Sequence, residues 1–380
     1  MADASRLKNV SLEDLCRAQA QPYYLLAAGD AQKERVVRTL AQPEILPFRS
    51  APMYCGRVKD ALIFGKSYVS AEPFQGVFYG QSHRDYRTEE FIKFYAKEVM
   101  NEQRPHPEIT AECCFLGGLS GNMRFFGHFI FEFLYRLVAF DMVGALNRFP
   151  LVVFDDVPDA WVSFLELYGV PRERMLRIPK HPAPRFSAAW VTGCPNYLGA
   201  DGTNYWLWDD GVVNMHRDLR QKALAGAPPG PKRVFIGRRD AKHRHLLNED
   251  VLWQVLEAEG FVYPDFMGLS AAEQIRLVGS AEIILTVGGS GSTMTHFAPE
   301  FCTIIEILAP HLSGVLGSWG FAAVLNQTYS RIPAQIVNDG TEMGIDNDIT
   351  VDIGLVQECV RAAIRIVSVC TKNTGNSSHD

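Results

Sequence analysis

The chain has 380 residues, 47% hydrophobic and 21% charged, with a formal net charge of -6 at pH 7. That length exceeds one ordinary core and points to two or three domains at roughly 150 residues each, and the acidic balance gives no general electrostatic reason to expect nucleic acid. Eight cysteines without a CxxC pair, two of them adjacent at Cys113 and Cys114, argue against a disulfide scaffold or a zinc site and for a reducing compartment.

The amino terminus lacks the apolar run of a secretory signal. Up to about residue 110, short apolar patches such as Ala61 to Phe64 and Gly76 to Tyr79 alternate with turn-formers, predicting several strands and one helix near Glu89 to Met100. The cluster His83, Arg84, Asp85 is either functional or an exposed loop, with the loop favoured. Residues 117 to 141 are more pointed. A glycine-rich turn leads through Asn122 into a helix that is apolar nearly all round, as a buried helix would be. Its polar exceptions His128, Glu132 and Arg136 stand at i, i+4 and i+8 and so share one face. Either Glu132 bridges the other two in an interior ladder, since buried charges must be paired, or the stripe lines a cleft with His128 near its open end. The most hydrophobic window, Phe125 to Phe140, is interrupted by these residues and is shorter than the ~20 residues a spanning helix needs. The expectation is a cytoplasmic protein with no transmembrane segment, peripheral to the inner face of a membrane at most.

Leu151 to Phe154 reads as a buried strand, Asp159 to Tyr168 as a helix stopped by Gly169, and Met175 to Ile178 as a further strand. Residues 179 to 210, rich in Pro, Gly and aromatics, read as loops, and AGAPPGP at 224 to 231 is the clearest linker.

Beyond it, strand and helix alternate. Arg233 to Ile236 is a short strand, with Arg238 and Arg239 just past its end; Asn248 stands where it can cap a helix starting at Glu249. Phe261 to Tyr263 reads as a second strand, and Ser270 with Glu273 forms a capping-box pattern before another helix. Ile283 to Val287 is a wholly apolar strand, GGSGST at 288 to 293 a turn of small residues, Met294 to Ala298 the start of a helix, and Thr303 to Leu308 a closing strand. Gly320 to Leu325 and Tyr329 to Ile332 supply a further helix and strand, Val351 to Val369 a long amphipathic helix, and residues 371 to 380 a disordered tail. Strands apolar throughout indicate a parallel sheet covered on both faces, and ligands then sit outside the carboxyl ends of its strands. Arg238, Arg239, the 288 to 293 turn and Glu306 fall on or near that rim.

The turn fails as a dinucleotide fingerprint, because Thr293 stands where GxGxxG needs glycine, and as a nucleophile elbow, because Ser292 stands where GxSxG needs one. What remains is a tight turn or an anion cradle of backbone N–H groups at a helix start, with the cradle favoured. Arg238 and Arg239, with Lys242, Arg244 and His245 close by, are a solvated pair or a bidentate phosphate grip. Glu306, inside an apolar strand, is a paired core carboxylate or an acceptor for ligand hydroxyls.

The run from KRVFIGRRDAKHRHLLNED through EGFVYPDFMGLSAAEQIRLVGSAEIILTVGGSGSTMTHFAPE to TIIEILAP resembles the carboxyl-terminal half of glycosyltransferase family 61. Arg238, Arg239, Arg244, Asn248, Gly260, Phe261, Glu273, Gln274, Val287, Gly288, Gly291 and Glu306 follow the family's order, and Asn122, His128 and Glu132 resemble its amino-terminal motif. Two positions depart from it: Ser290 stands where the family has histidine in VGxHGA, and His296 where it usually has asparagine. Ser290 can replace a neutral hydrogen bond but not a cation, which leaves His296, about one helical turn along, as the candidate substitute.

The resemblance implies an α/β fold of the GT-B type: two Rossmann-like domains with a cleft between them and a long carboxyl-terminal helix. The expected divisions are an acceptor-side domain (1–223), a linker (224–231), a nucleotide-sugar-binding domain (232–350), a helix (351–370) and the tail. The implied activity is transfer of a sugar from a nucleotide donor, a UDP-sugar first, to a hydroxyl of a glycan or other acceptor with inversion, in surface polysaccharide biosynthesis. His128 would be the base, held by Glu132. Arg238, Arg239, Arg244, Asn248, Ser290, Gly291, Ser292, Thr293 and His296 would bind the donor, with Glu306 on the ribose hydroxyls. No cofactor and no metal are expected, because no DxD cluster occupies a comparable strand end: Asp155 and Asp156 are adjacent, and Asp346 and Asp348 lie in a probable loop. Two rival readings are a catalytically silent nucleotide- or sugar-binding protein, suggested by Ser290, and an NAD-dependent oxidoreductase, disfavoured by the missing third glycine.

Overall fold

The computed structural model describes residues 11–28, 33–50, 52–64, 68–70, 77–79, 105–117, 126–179, 182–193, 196–198, 204–206, 210–309, 318–337 and 347–375. Asn122, the His83 to Asp85 cluster, the helix expected near Glu89 to Met100, and Asp346 lie outside them. Contacts divide the chain into two compact units, Met1–Lys33 with Pro47–Met215 and Glu34–Leu46 with His216–Asp380. Both are α/β.

The first unit holds an eight-stranded mixed sheet of β1 (Tyr23–Ala27), β2 (Met53–Phe64), β3 (Tyr68–Ser70), β4 (Val77–Tyr79), β5 (Glu108–Phe115), β6 (Leu151–Phe154), β7 (Met175–Ile178) and β8 (Arg185–Thr192). The order is β4-β3-β2-β8-β5-β6-β7, with β1 paired to β2. β8, β5, β6 and β7 run parallel, and β2 meets β8 antiparallel. The parallel part is where sequence patterning is strongest. All four residues of β6 are buried, as a strand covered on both faces requires. The helix after it, Asp159–Tyr168, ends at Gly169 with φ 128°, which a side chain would strain.

The helix expected from Asn122 to Asp141 is interrupted. A short α turn, Phe126–His128, passes into a π-helix, Phe129–Leu134, before α geometry resumes over Arg136–Met142. The wider i→i+5 turn breaks the stacking of positions 128, 132 and 136 that a regular helix would give. Phe129 lies among Trp161, Phe164 and Phe133, with ring centroids 5.6, 6.0 and 6.4 Å away.

The second unit carries a four-stranded parallel sheet of β9 (Arg233–Ile236), β10 (Ile283–Val287), β11 (Thr303–Leu308) and β12 (Thr328–Pro333), in chain order. The strand expected at Phe261 to Tyr263 reduces to one parallel bridge between Val262 and Val234 on the far edge of β9. Pro264 follows directly, and it has no N–H to extend a ladder. The chain thus leaves β9 to one side, returns across it, and builds β10 to β12 on the other. Helices Glu249–Ala258, Ala271–Val278 and Ser318–Val324 make the connections, the second with the expected capping box. The long helix runs Ile353–Gly375, five residues into the stretch expected as a disordered tail. Phe235, Leu285, Ile305 and Ile307 form the centre of the core, with Val356, Val360 and Ala363 of that helix packed into it.

Candidate functional site

A strand that sends its next neighbour to one side and the following one to the other is a topological switch point, and ligands in α/β sheets bind outside the carboxyl ends there. In the second unit that strand is β9. Its carboxyl end passes into Gly237 and Arg238, and the adjacent end of β10 into Gly288 and Gly289.

Arg238 joins these two ends. Its Nε donates to the Arg244 carbonyl at 2.7 Å, and its Nη atoms donate to the His243 carbonyl at 2.7 Å and the Gly288 carbonyl at 3.5 Å. Arg244, held at φ 57°, donates to the same Gly288 carbonyl at 3.2 Å. Two half-buried guanidinium groups therefore meet at one turn. A Cβ at Gly289 would overlap the Arg238 guanidinium, so any side chain there would displace that arginine from the turn.

Beneath this sits a carboxylate that the sequence reading passed over. Glu249, 5% exposed at the start of its helix, accepts the Arg238 backbone N–H at 3.0 and 3.1 Å and the Tyr263 hydroxyl. A Cβ on Gly237 would strike both the Glu249 carboxylate and that hydroxyl. Burial, then the Glu249 carboxylate, pushes the Tyr263 phenol well above its ordinary range, so it stays a donor. The only sequence signal was an acidic residue at the first position of a helix, which is ordinarily read as a dipole effect.

The other basic and polar candidates separate. Arg239 turns to Asp250, at 3.0 Å, and lies over the Tyr263 ring at 4.7 Å. Asn248 occupies the N-cap position, but its side chain makes no cap bond. Instead its amide exchanges two hydrogen bonds with the backbone of Val351, at 2.7 and 3.2 Å, tying the approach to the long helix onto this unit.

From Ser290 the chain enters a 3₁₀-helix, Ser290–Phe297, rather than the α-helix expected from Met294. Its hydroxyls explain the tightness. Ser292, Thr293 and Thr295 each donate to the carbonyl three residues earlier, at 2.6, 2.7 and 2.7 Å, which matches the i→i+3 period. Ser290 is exposed and Gly291 half-buried, whereas Ser292, Thr293 and His296 are buried. The helix thus offers its first residue, Ser290, to solvent, close in sequence to the Gly288 carbonyl that Arg238 and Arg244 hold.

His296 does not act as the substitute cation for Ser290. It is 1% exposed and stacked on Phe321 with centroids 3.7 Å apart, and His216 meets it edge-on at 5.4 Å. Burial first, then the neighbouring His216, holds its pKa far below the ordinary range, so the ring is neutral. Glu306 is also interior. It is 0% exposed and accepts from the Ser318 hydroxyl at 3.0 Å and the Tyr329 hydroxyl at 2.6 Å. Burial raises its carboxyl pKa and these two donors oppose the rise. Because Ser318 also reaches the Ser292 hydroxyl at 3.4 Å, Glu306 supports the 3₁₀-helix from below. This is the paired core carboxylate, not a ligand acceptor on the rim.

In the first unit, His128 is half-buried at the point where α geometry gives way to the π turn, and Glu132 lies within that turn. Arg136, 2% exposed, has its guanidinium 5.8 Å from the Phe133 ring centroid. Among the described residues no three His, Cys, Asp or Glu side chains gather as metal ligands would, and no helix is long and apolar enough to cross a membrane.

Residues 126–305 match the family model described as Glycosyltransferase 61. The match opens at the helical turn bearing His128 and closes inside β11, so it takes in both candidate regions. No curated protein matches the chain.

Proposed function

We propose, from the match of residues 126–305 to the Glycosyltransferase 61 family model, that the chain is a glycosyltransferase of that family and moves a sugar from a nucleotide-sugar donor, a UDP-sugar first, to a hydroxyl of a glycan acceptor with inversion and without a metal. The observation that carries the donor side is the pair of guanidinium groups, Arg238 and Arg244, meeting at the Gly288 carbonyl beside the exposed start of a 3₁₀-helix. Two cations next to N–H groups that the first turn of a helix leaves without intrahelical partners make a position that favours an anion with several oxygens. A diphosphate has that chemistry.

In this reading the fold is of the GT-B type, with the second unit taking the nucleotide and the first supplying the acceptor base. His128 accepts the proton of the attacking hydroxyl as the new C–O bond forms at the anomeric carbon. The bond to the donor diphosphate breaks on the opposite face, which is what inverts the centre, and Arg238 and Arg244 stabilise the departing charge. Glu132 orients the base. Ser290 offers the diphosphate a neutral hydrogen bond in place of the histidine of related sequences. The product belongs to a surface polysaccharide, made on the cytoplasmic side.

The test is thermal unfolding with UDP, GDP, CMP and NAD in separate samples, with and without manganese, followed by an assay for donor hydrolysis. A ligand at 100 times its dissociation constant adds about 2.7 kcal/mol. The reading expects stabilisation by UDP that is indifferent to manganese, with turnover of a UDP-sugar. Stabilisation by NAD alone would replace it with an oxidoreductase, and UDP binding with no turnover of any donor would replace it with a silent binding protein.

A further inference from the structure

The long helix Ile353–Gly375 carries two apolar stripes; the core takes the whole of one and, through Cys359, part of the other. Val356, Val360 and Ala363 are each 0% exposed, and Arg361 on the outside binds Glu259 at 3.1 Å. The second stripe is Leu355, Cys359, Ala362, Ile366 and Val369, separated by steps of four, three, four and three. Leu355 and Ile366 are each 40% exposed and Val369 is 59% exposed. Scattered surface hydrophobics need no explanation, but this alternation has the spacing of a coiled-coil seam. It runs about 21 Å along the helix at 1.5 Å per residue. Glu358 and Arg365 stand seven residues apart along one edge of it, with opposite charge.

We infer that this stripe is the contact with a second copy of the chain, the two helices packing antiparallel about a two-fold axis. A two-fold contact must be self-complementary, and an antiparallel pairing meets that condition. It sets Leu355 against Ile366 and Cys359 against Ala362 of the second copy, and it brings Glu358 near the second copy's Arg365 on the same edge, twice. A parallel pairing sets this edge against the opposite edge of the second copy, where Val356 and Ala363 stand, and so forms no Glu358–Arg365 pair.

Sedimentation equilibrium of the full chain at micromolar concentrations tests it. The expected mass is that of two chains, and Ile366→Glu, which sets a carboxylate into the seam of each copy, gives the mass of one. Ile366 lies outside the core, so the variant should keep its far-ultraviolet circular dichroism; Val369→Lys, at a more exposed seam position, is the second variant should it not. Orientation is read by oxidation in a Cys194→Ser, Cys370→Ser background. Antiparallel packing links two chains only when Ala362→Cys is added, through Cys359 and the introduced thiol, because a disulfide needs Cα atoms about 7 Å apart or closer. A single-chain mass at every concentration overturns the inference, as does a dimer that survives both seam variants. Linkage through Cys359 alone overturns the antiparallel arrangement. A single-chain mass together with sedimentation on phosphatidylglycerol vesicles, lost in Ile366→Glu, assigns the face to a lipid surface instead.

Discussion

The π turn Phe129–Leu134 of the first unit and the 3₁₀-helix Ser290–Phe297 of the second depart from α geometry in opposite directions, one wider and one tighter. The sequence singled out a histidine at each, His128 just before the π turn and His296 within the 3₁₀-helix, and the two end in unlike surroundings. His128 is half-buried at the start of its turn, while His296 is enclosed between Phe321 and His216. The tight helix is written in its hydroxyls, since Ser292, Thr293 and Thr295 all bond three residues back. The wide one sits in a phenylalanine-rich wall, where Phe129 fits among the rings of Trp161, Phe164 and Phe133. A histidine's place in a motif therefore says little about its role until the helix type that carries it is known. His128 is offered as a base and His296 as a neutral core residue.

The largest effect that could break this contrast is His128→Ala. Loss of a general base lowers the rate by about 10² to 10⁴, and binding of UDP, followed by calorimetry, should stay within about twofold. Near-normal turnover would remove His128 from the chemistry. Next is Glu249→Ala, which strips the acceptor from the Arg238 backbone N–H and the Tyr263 hydroxyl. Buried donors left unsatisfied cost about 1–3 kcal/mol each, so urea unfolding should show a loss of that size together with weaker UDP binding.

The pH dependence of stability sharpens the reading of His296. Its folded pKa is depressed, so the native state binds fewer protons than the unfolded chain once the pH falls below about 6.5. The stability it contributes is complete above that value and is lost as the pH falls further, by up to about 1.4 kcal/mol per pH unit. Unfolding midpoints measured from pH 8 to 5 should therefore fall less steeply for His296→Gln than for the natural chain. Parallel curves would mean that the ring is not held neutral. The smallest effect is Ser292→Ala, expected to cost about 1 kcal/mol for one hydroxyl bond and to loosen the 3₁₀-helix, seen as faster amide exchange confined to residues 290–297.

Much of the second unit was legible in the sequence because its strands are short, mostly apolar runs, two of them ending at a glycine: Arg233–Ile236, Ile283–Val287 and Thr303–Leu308 fall where patterning put them. The first unit's Asp159–Tyr168 and Met175–Ile178 are equally plain. What patterning missed depends on partners distant in sequence. Periodicity assumes 3.6 residues per turn, so neither the π turn nor the 3₁₀-helix could be seen. Asn248 looks like a cap until Val351 arrives to take its amide, and Glu306 looks like a ligand acceptor until Ser318 and Tyr329 close over it. The two adjacent arginines after β9 read alike in sequence, yet only Arg238 joins the strand ends, and its companion there is Arg244.

That division of the arginines is the central claim, and UDP affinity tests it directly. Calorimetric titration of UDP into Arg244→Ala and Arg239→Ala should show about a tenfold or greater loss for the first, the size expected when one charged hydrogen bond of about 1.5 kcal/mol or more is removed. Arg239→Ala should lie within about twofold of the natural chain, since that side chain is engaged with Asp250 and Tyr263. The reverse order, with Arg239 essential and Arg244 dispensable, would contradict the account and move the anion site off the switch point at β9.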